Sequence, residues 1–456
     1  MTDRSMRSTK PPAIDALGCC LRAMCGELQI SHSGACKVLR GRGQGLPSAT
    51  LDCAGRGGPA GQVVLEVVLI HLHPPRDGDG TNGPDASQAP VPCSSHARWP
   101  SFCDDGSDAV NSSAARQIRR KPVKAVVYDT YGSPDVLVLM EIDEPVVGDD
   151  QVLVRVRATS VNPADWHFMR GLPYLVRLIN GLRKPSKATV LGSDIAGHVE
   201  AVGENVTRFR PGDEVFGRTR AAHRPDRRDV VGAGGCAEYA CVSEDVLAPK
   251  PANLTFEQAA AVPLAALTAL QALRDTGKVQ PGQRVLINGA SGGVGTFAVQ
   301  IAKLLGAHVT GVCGTSNMEM VRSIGADQVI DYSQEDFTKS GHRYDLILDI
   351  GDRSLSSLRR ALTPKGALVT IGGSAGRWIN GLGRQNKLRL LSPFVSQRLQ
   401  PFLTKWSQQD LHVLTELIAA GKVTPIIDRT YRLSEAPEAM RYLEAGHARG
   451  KIVITV

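Results

Sequence analysis

Gly282-Gln283-Arg284-Val285-Leu286-Ile287-Asn288-Gly289-Ala290-Ser291-Gly292-Gly293-Val294-Gly295 is the stretch that decides the fold. A short apolar run, Val285 to Ile287, enters a glycine-rich turn, and a helical pattern follows at once. Val294, Phe297, Ala298, Ile301 and Leu305 recur at helix spacing, and Gly306 stands where a helix stops. Strand, turn and helix in this order seat a pyrophosphate on a helix N-terminus, where backbone N–H groups lack intrahelical partners and the macrodipole favours an anion. The expected phosphate-binding residues are therefore Ser291, Gly292, Gly293, Val294 and Gly295. Gly292 and Gly293 leave room for phosphate beside the backbone, and Gly295 lets the helix pack close to the strand.

A glycine turn alone ends many strands, so the context matters. A second strand-like stretch, His308 to Cys313, ends roughly 20 residues further on, the spacing of a βαβ dinucleotide unit. Gln328 to Asp331, Tyr344 to Ile350 and Ala367 to Ile371 follow, with amphipathic stretches between them. This alternation predicts an open parallel sheet with helices on both faces.

Upstream the texture differs. Lys124 to Tyr128, Gln151 to Ala158, Gly197 to Val202 and Glu214 to Phe216 read as short strands, and Pro211-Gly212-Asp213 as a turn. Many short strands joined by turns predict a small β-barrel or sandwich-like domain. Glu257 to Val262 and Leu264 to Arg274 read as helices, as does Asp410 to Ala420, and Lys451 to Val456 as a final strand. The first 120 or so residues are rich in Gly, Pro, Ser, Cys and Arg with poor periodicity, and are expected to carry no fold of their own.

At 456 residues the chain can bury at least two cores. The net charge of +8 is modest, and the basic residues lack the clustering and aromatic interleaving of a nucleic-acid groove, so no nucleic-acid partner is expected. No uncharged apolar run reaches membrane-spanning length, so no membrane partner is expected either. Cytoplasmic residence is the expectation, with mitochondrial import left open by the arginines and serines of the N-terminus, among which Asp3 and Asp15 also stand. Seven of the ten cysteines fall in the first quarter, and no pair has C-x-x-C spacing.

With these residues in hand, the chain resembles the medium-chain dehydrogenase/reductase superfamily, in its zinc-independent quinone oxidoreductase branch. The resemblance covers roughly residues 122–456. It rests on Ser160-Val161-Asn162-Pro163-Ala164-Asp165, Leu191-Gly192-Ser193-Asp194-Ile195-Ala196-Gly197 and Phe209 to Val215, in that order. Pro263-Leu264, Leu267-Thr268-Ala269, the glycine turn with Gln300 and Lys303, Gly325-Ala326-Asp327 and Val329 to Tyr332 continue it. The resemblance implies an α/β fold: a GroES-like β-barrel-type substrate domain plus a doubly wound parallel-sheet Rossmann domain. The expected boundaries are 1–121 for the extension, 122–250 completed by 408–456 for the GroES-like domain, and 251–407 for the Rossmann domain.

The resemblance also implies what is missing. Zinc-dependent relatives place Cys at Asn162 and a His-Glu pair at Ser193-Asp194, and their structural-zinc loop holds four close cysteines. Here Gly217 to Val242 has only Cys236 and Cys241. Amide and hydroxyl are poor zinc ligands, so no metal is expected. Without that Lewis acid, hydride donation to an acceptor that can hold negative charge remains feasible. The expected reaction is hydride transfer from NADPH to a quinone or an α,β-unsaturated carbonyl. Two alternatives stand beside it: a 2-enoyl thioester reductase, using Arg177, Arg183 and Lys184, and a crystallin-like nucleotide binder of low activity.

The candidate catalytic residues are Asn162, Asp165 and Tyr174. Asn162 can donate to a developing oxyanion. Asp165 and Asp194 either orient the pocket or serve a local turn. Tyr174 either relays a proton or is a surface aromatic. Trp166 and Phe168 offer flat apolar surface or pack in the core. At the end of the second Rossmann strand Gly314 stands where an acid would bond the 2′-OH of NAD, followed by Thr315, Ser316 and Asn317 as small polar donors, which favours NADPH with NADH still accepted. The resemblance places Tyr332 beside the adenine and Thr268 near the nicotinamide. Gly372 opens a glycine-rich stretch to Pro393, expected to act as a flap at the nicotinamide end. A homodimer is carried over from relatives by analogy alone.

Overall fold

The computed structural model describes residues 121–456, apart from 173, 175–176, 178–180, 186–187, 220–233, 352 and 373–381. The expectation for residues 1–121 thus lies outside the described residues, save Lys121, and so does the first part of the proposed flap.

Three sheets carry the fold. Strands β1 (Pro122–Tyr128), β2 (Val138–Asp143), β3 (Gln151–Val161), β4 (Thr189–Val190), β5 (Asp194–Val202), β6 (Glu214–Arg218), β7 (Tyr239–Ser243) and β8 (Leu247–Pro249) come first along the chain. β9 (Arg284–Asn288), β10 (His308–Cys313), β11 (Gln328–Asp331), β12 (Tyr344–Asp349), β13 (Leu362–Ile371) and β14 (Arg398–Phe402) follow, and β15 (Ile427–Arg432) and β16 (Lys451–Thr455) close it.

β9 to β14 form one parallel sheet in the order β11-β10-β9-β12-β13-β14. The order reverses between β9 and β12, and that switch point is where an open α/β sheet leaves a crevice at its carboxyl edge. The glycine turn leaves β9 there. Gly289 has φ +90°, a conformation that glycine adopts without cost. Helix Gly293–Leu304 then starts directly over the strand end. A Cβ on Gly295 would overlap the carbonyl oxygen of Gly289, so the close helix–strand approach read from the sequence is present.

The other large sheet runs β15-β16-β3-β5-β6-β8, with β7 on β3. β3 is its hub and pairs with β5, β7 and β16. Val152, Val154 and Val156 are buried and Arg155 and Arg157 exposed, but Leu153 on the other face is buried as well, in a cluster with Val123, Tyr239 and Cys241. β1 sits between β2 and β4 in a small antiparallel sheet. One core cluster joins Ala158, Ala196 and Phe216 of the β3 sheet to helix Pro263–Gln271 and to Phe297 and Ile301 of the helix after the glycine turn. Burial of each large side chain there contributes about 1.5–3 kcal/mol. The alanine-rich face of Pro263–Gln271 allows helix and strands to approach closely.

Helix Leu382–Leu391 occupies most of the described part of the expected flap. Leu388 is buried under it, and Arg384 is paired with the buried carboxylate of Asp349. This half of the stretch is anchored to the sheet rather than built as a loose cover.

Candidate active site and dinucleotide cleft

The motif after β3 begins with a helix cap. Asn162 precedes helix Pro163–Arg170, and its backbone N–H donates to Asp165 Oδ2 at 2.8 Å, closing a capping box. Proline at the first helical position suits an end whose N–H has no partner. The other oxygen of Asp165 accepts a short hydrogen bond from Ser193 Oγ. Burial pushes the Asp165 carboxyl up to about 6, with the Ser193 hydrogen bond working against it and Asp194 adding to it.

A second buried carboxylate is next door. Asp194 Oδ2 accepts from Ser160 Oγ and from Asn162 Nδ2, both at 2.9 Å. Its Oδ1 accepts the Leu264 N–H at 3.1 Å, at the N-terminal end of helix Pro263–Gln271, where a carboxylate is favoured. Lys451, the first residue of β16, enters from the far end of the chain. Its Nζ donates to Asn162 Oδ1 at 2.6 Å and lies 3.7 Å from Asp194 Oδ2. Burial lowers its ammonium from the usual lysine range, with Asp194 and Asp165 opposing that effect.

Asn162 and Asp165 are thus together, but Asn162 does not present a free amide. Its oxygen accepts from Lys451 and its nitrogen donates to Asp194 and, at 3.4 Å, to Ser160 O. With 3% exposure it positions its neighbours instead of offering a hydrogen bond to an oxyanion. Ser193 is half-buried, while Ser160, Asn162, Asp165, Asp194 and Lys451 are buried, so Ser193 is the member of this network that reaches accessible surface. Tyr174 packs against Arg177. The Arg177 guanidinium sits 4.7 Å from the Tyr174 ring and 4.6 Å from Tyr131, and it donates to the carbonyls of Gly171 and Arg170. Trp166 packs in a core cluster and Phe168 is exposed.

The cleft at the switch point measures about 1140 Å³. Its floor is the carboxyl edge of β9, β10 and β12, and Ser291, Gly292, Gly314, Ser316, Asn317 and Tyr332 line it. Ser291, Gly292, Ser316, Asn317 and Tyr332 of the expected set are therefore gathered in one place. Gly293, Val294 and Gly295 open the helix beside it. A Cβ on Gly293 would meet the Lys451 side chain at 3.0 Å, which ties the phosphate turn to the Asn162 network. Among the described residues, Asn317 Oδ1 is a buried acceptor without a partner, a fit for a ribose hydroxyl at the cleft wall. Asn317 Nδ2 donates to Ser291 Oγ at 3.2 Å.

Thr315, Thr268 and Gly372 are not among the residues that line the cleft. Thr315 gives its hydroxyl to Asp331 at the end of the neighbouring strand β11, so it is not a free donor. Ser333 also donates to Asp331, and these hydrogen bonds hold that carboxyl below the usual range. Thr268 turns its hydroxyl into its own helix, onto Leu264 O, and shares a hydrogen bond with Thr404 Oγ1 at 2.6 Å. Gly372, with φ +73°, ends β13 at the same edge of the sheet but outside the cleft lining.

Sequence reading missed Lys451, whose only local signal is a lysine opening an apolar strand. Asp349 was missed too; it accepts from Asn288 Nδ2 at 2.6 Å across the β9–β12 switch. The cationic side of the cleft was also missed: Arg353, Arg429 and Arg449. Among the described residues, no group of three His, Cys, Asp or Glu is placed to hold a metal ion.

Residues 148–252 match the family model of the alcohol dehydrogenase GroES-like domain, and residues 324–454 that of a zinc-binding dehydrogenase. The chain is 37% identical over 370 residues to the mouse (Mus musculus) NAD(P)H oxidoreductase RTN4IP1, mitochondrial, spanning 74% of this chain and 90% of that protein. It is 34% identical over 339 residues to 2-methylene-furan-3-one reductase of Solanum lycopersicum, spanning 73% and 79%. The solved quinone oxidoreductase from Coxiella burnetii superposes with a TM-score of 0.64 at 32% identity, over 74% of this chain and all of that one. The chain belongs to the medium-chain dehydrogenase/reductase superfamily, in its quinone-oxidoreductase-like branch. It is an NAD(P)H-dependent oxidoreductase with the α/β architecture of that family. No described helix is long and apolar enough to cross a membrane.

Proposed function

We propose that the chain transfers a hydride from NADPH to a quinone or an α,β-unsaturated carbonyl without zinc. The observation that carries this reading is the buried network of Asn162, Ser193, Asp194 and Lys451. At the positions where zinc-dependent relatives hold their ion, an ammonium, an amide and a hydroxyl already satisfy the carboxylates. When bound, the nicotinamide supplies a hydride. The chain's own residues hold and move the proton that must follow. Negative charge develops on the carbonyl oxygen of an enone as its β-carbon accepts the hydride. Ser193 Oγ–H, at accessible surface, donates to that oxygen, and Asp165 Oδ1 returns a proton to Ser193. Solvent then reprotonates Asp165. A reduced quinone needs no such relay, because its phenolate oxygens take protons from water.

Below about pH 6 Asp165 holds a proton, and above it the proton is lost. Enone turnover is therefore expected to fall as pH rises through about 6, and quinone turnover to stay flat there. Ser193→Ala should slow enone reduction by about 100-fold or more, as loss of a positioned acid does, with Ser193→Thr recovering it and quinone reduction little changed. Asp165→Asn should erase the enone inflection. An equal loss on both acceptors, or an inflection that survives in Asp165→Asn, would refute the relay.

NADPH preference rests on Gly314 and Ser316, with Thr315 withdrawn onto Asp331. One hydroxyl and the lack of a carboxylate support a modest preference of about 1 kcal/mol. A Cβ at Gly314 meets Tyr332 at an ordinary 3.4 Å, so Gly314→Asp is sterically tolerated and should turn the ratio of dissociation constants toward NADH. An unchanged ratio would place the adenosine ribose elsewhere.

Of the basic residues of the thioester alternative, Arg177 is committed to two carbonyls and two rings, while Arg183 and Lys184 are exposed. NADPH consumption with a panel of quinones, enones and a 2-enoyl thioester is the direct test. Turnover on the first two supports the reading; turnover on the thioester alone would replace it, and none at all would leave a nucleotide binder.

A further inference from the structure

We propose that the outer face of helix Leu382–Leu391, with the turn Ser392–Phe394 that follows it, docks on an anionic lipid surface. Leu390 and Phe394 enter the headgroup region, and the basic side chains around them meet the lipid phosphates. The first observation is one of charge. Between Asp352 and Asp410 no Asp or Glu occurs, while Lys and Arg recur throughout. Among the described residues of this stretch, only Arg353 and Arg384 lie within ion-pair distance of a carboxylate, that of Asp336 and that of Asp349. Arg359, Arg360 and Arg398 donate to neutral acceptors, Gln397 Oε1, Ser357 Oγ and Gly277 O, so their charge is uncompensated. Lys387 and Arg389 are exposed.

The second observation is an apolar tip among these cations. Arg384 and Leu388 anchor the inner side of the helix. Lys387, Leu390 and Phe394 recur at helix spacing on the other side, where Leu390 is 70% exposed and Phe394 85%. Helix Leu355–Arg360 joins the same cluster through Leu358. Gln397 bonds both the side chain and the carbonyl of Arg359, which brings that basic helix end close to the tip. Large apolar side chains held in water by an anchored helix, with long cations around them, suit a lipid interface: the apolar groups enter it, and the Lys and Arg stems reach up to the phosphates. A nucleic acid would match the charge but leave Leu390 and Phe394 in water. A second copy seated face to face would set the same uncompensated cations against each other. The expectation of no membrane partner rests on the lack of a spanning segment, and a peripheral contact needs none. Such a contact holds the chain at the phase in which apolar acceptors collect.

The test is co-sedimentation of the full chain, without nucleotide, with vesicles of phosphatidylcholine alone and of phosphatidylcholine mixed with phosphatidylserine. Read without nucleotide, it stands or falls apart from the hydride-transfer reading. Binding is expected to the mixed vesicles only, and to weaken as salt is raised. Lys387→Glu with Arg389→Glu should weaken it at least about tenfold, since each basic residue near the surface contributes and reversal also repels. Leu390→Ser with Phe394→Ser should weaken it by a similar factor with the charge unchanged. Both double variants should keep the wild-type melting temperature and NADPH oxidation by a water-soluble quinone, because none of the four residues lines the cleft. Wild-type chain that stays in the supernatant with both kinds of vesicle would overturn the proposal. So would vesicle binding that either double variant leaves within about twofold of wild type. Dissociation of a dimer by these variants, with vesicle binding untouched, would give the face to a second copy. Binding to duplex DNA but not to vesicles would give it to a nucleic acid.

Discussion

Lys451→Met is expected to lower the unfolding free energy by about 3–5 kcal/mol, the cost of removing one partner from a buried ion pair. Lys451 is 3% exposed, and its ammonium faces Asn162 Oδ1 and Asp194 Oδ2. Its loss leaves the Asn162 amide oxygen without its donor and the Asp194 carboxylate without its counter-charge in a dry site. Three donors stay on Asp194 (Ser160 Oγ, Asn162 Nδ2 and the Leu264 N–H), which sets the effect at the lower end. Urea unfolding measures it. A second readout is specific to the network. Lys451 is one of the groups that hold the Asp165 carboxyl down, so its removal should move the enone inflection above pH 6. The double variant Lys451→Met, Asp194→Asn should recover much of the stability, since it removes the uncompensated charge. A single variant as stable as wild type would mean that the ammonium does not pair with Asp194 in solution.

Gly295→Val should abolish dinucleotide binding and destabilise the fold by more than about 3 kcal/mol, the range reached when a side chain is forced into a filled space. The obstacle is backbone. A Cβ at this position meets the Gly289 carbonyl and Ala290, and neither can move without displacing the helix from β9. Gly293 is the informative contrast. Its added Cβ would meet only Lys451 Cδ at 3.0 Å and the Gly450 oxygen at 3.4 Å, and a flexible side chain can yield. Gly293→Ala should therefore fold normally and lose affinity only through crowding of the phosphate. Near-native melting and binding in Gly295→Val would show that helix and strand are not as closely apposed as described.

Local patterns made the nucleotide half legible. Val285 to Ile287, the glycine turn and the apolar stripe from Val294 to Leu305 each state their structure within a few residues. The strands from His308 and Gln328 begin and end where the sequence places them. β14 was not read, because Arg398-Leu399-Gln400-Pro401-Phe402 has a proline and no alternation, and its pairing comes from β13. The site was legible in its residue types but not in its wiring. Asn162 and Asp165 were found, yet what Asn162 can do depends on Lys451, 289 residues away, which arrives only because β16 pairs with β3. Thr315 looked like a phosphate donor because its strand end carries no acid; the acid comes from the next strand, at Asp331. Ser193 was read as a lost zinc ligand, and its partnership with Asp165 is a tertiary fact. In each case the missing information was which strand ends meet.

The proposed hydride transfer relies on a metal-free network. Its most direct measurement is pre-steady-state oxidation of NADPH by a quinone and by an enone, using protein stripped with chelator and with its metal content determined on the same sample. The expected result is full turnover of both acceptors with well under one zinc per chain, unchanged when zinc is added. Turnover that vanishes on stripping and returns with zinc would contradict it.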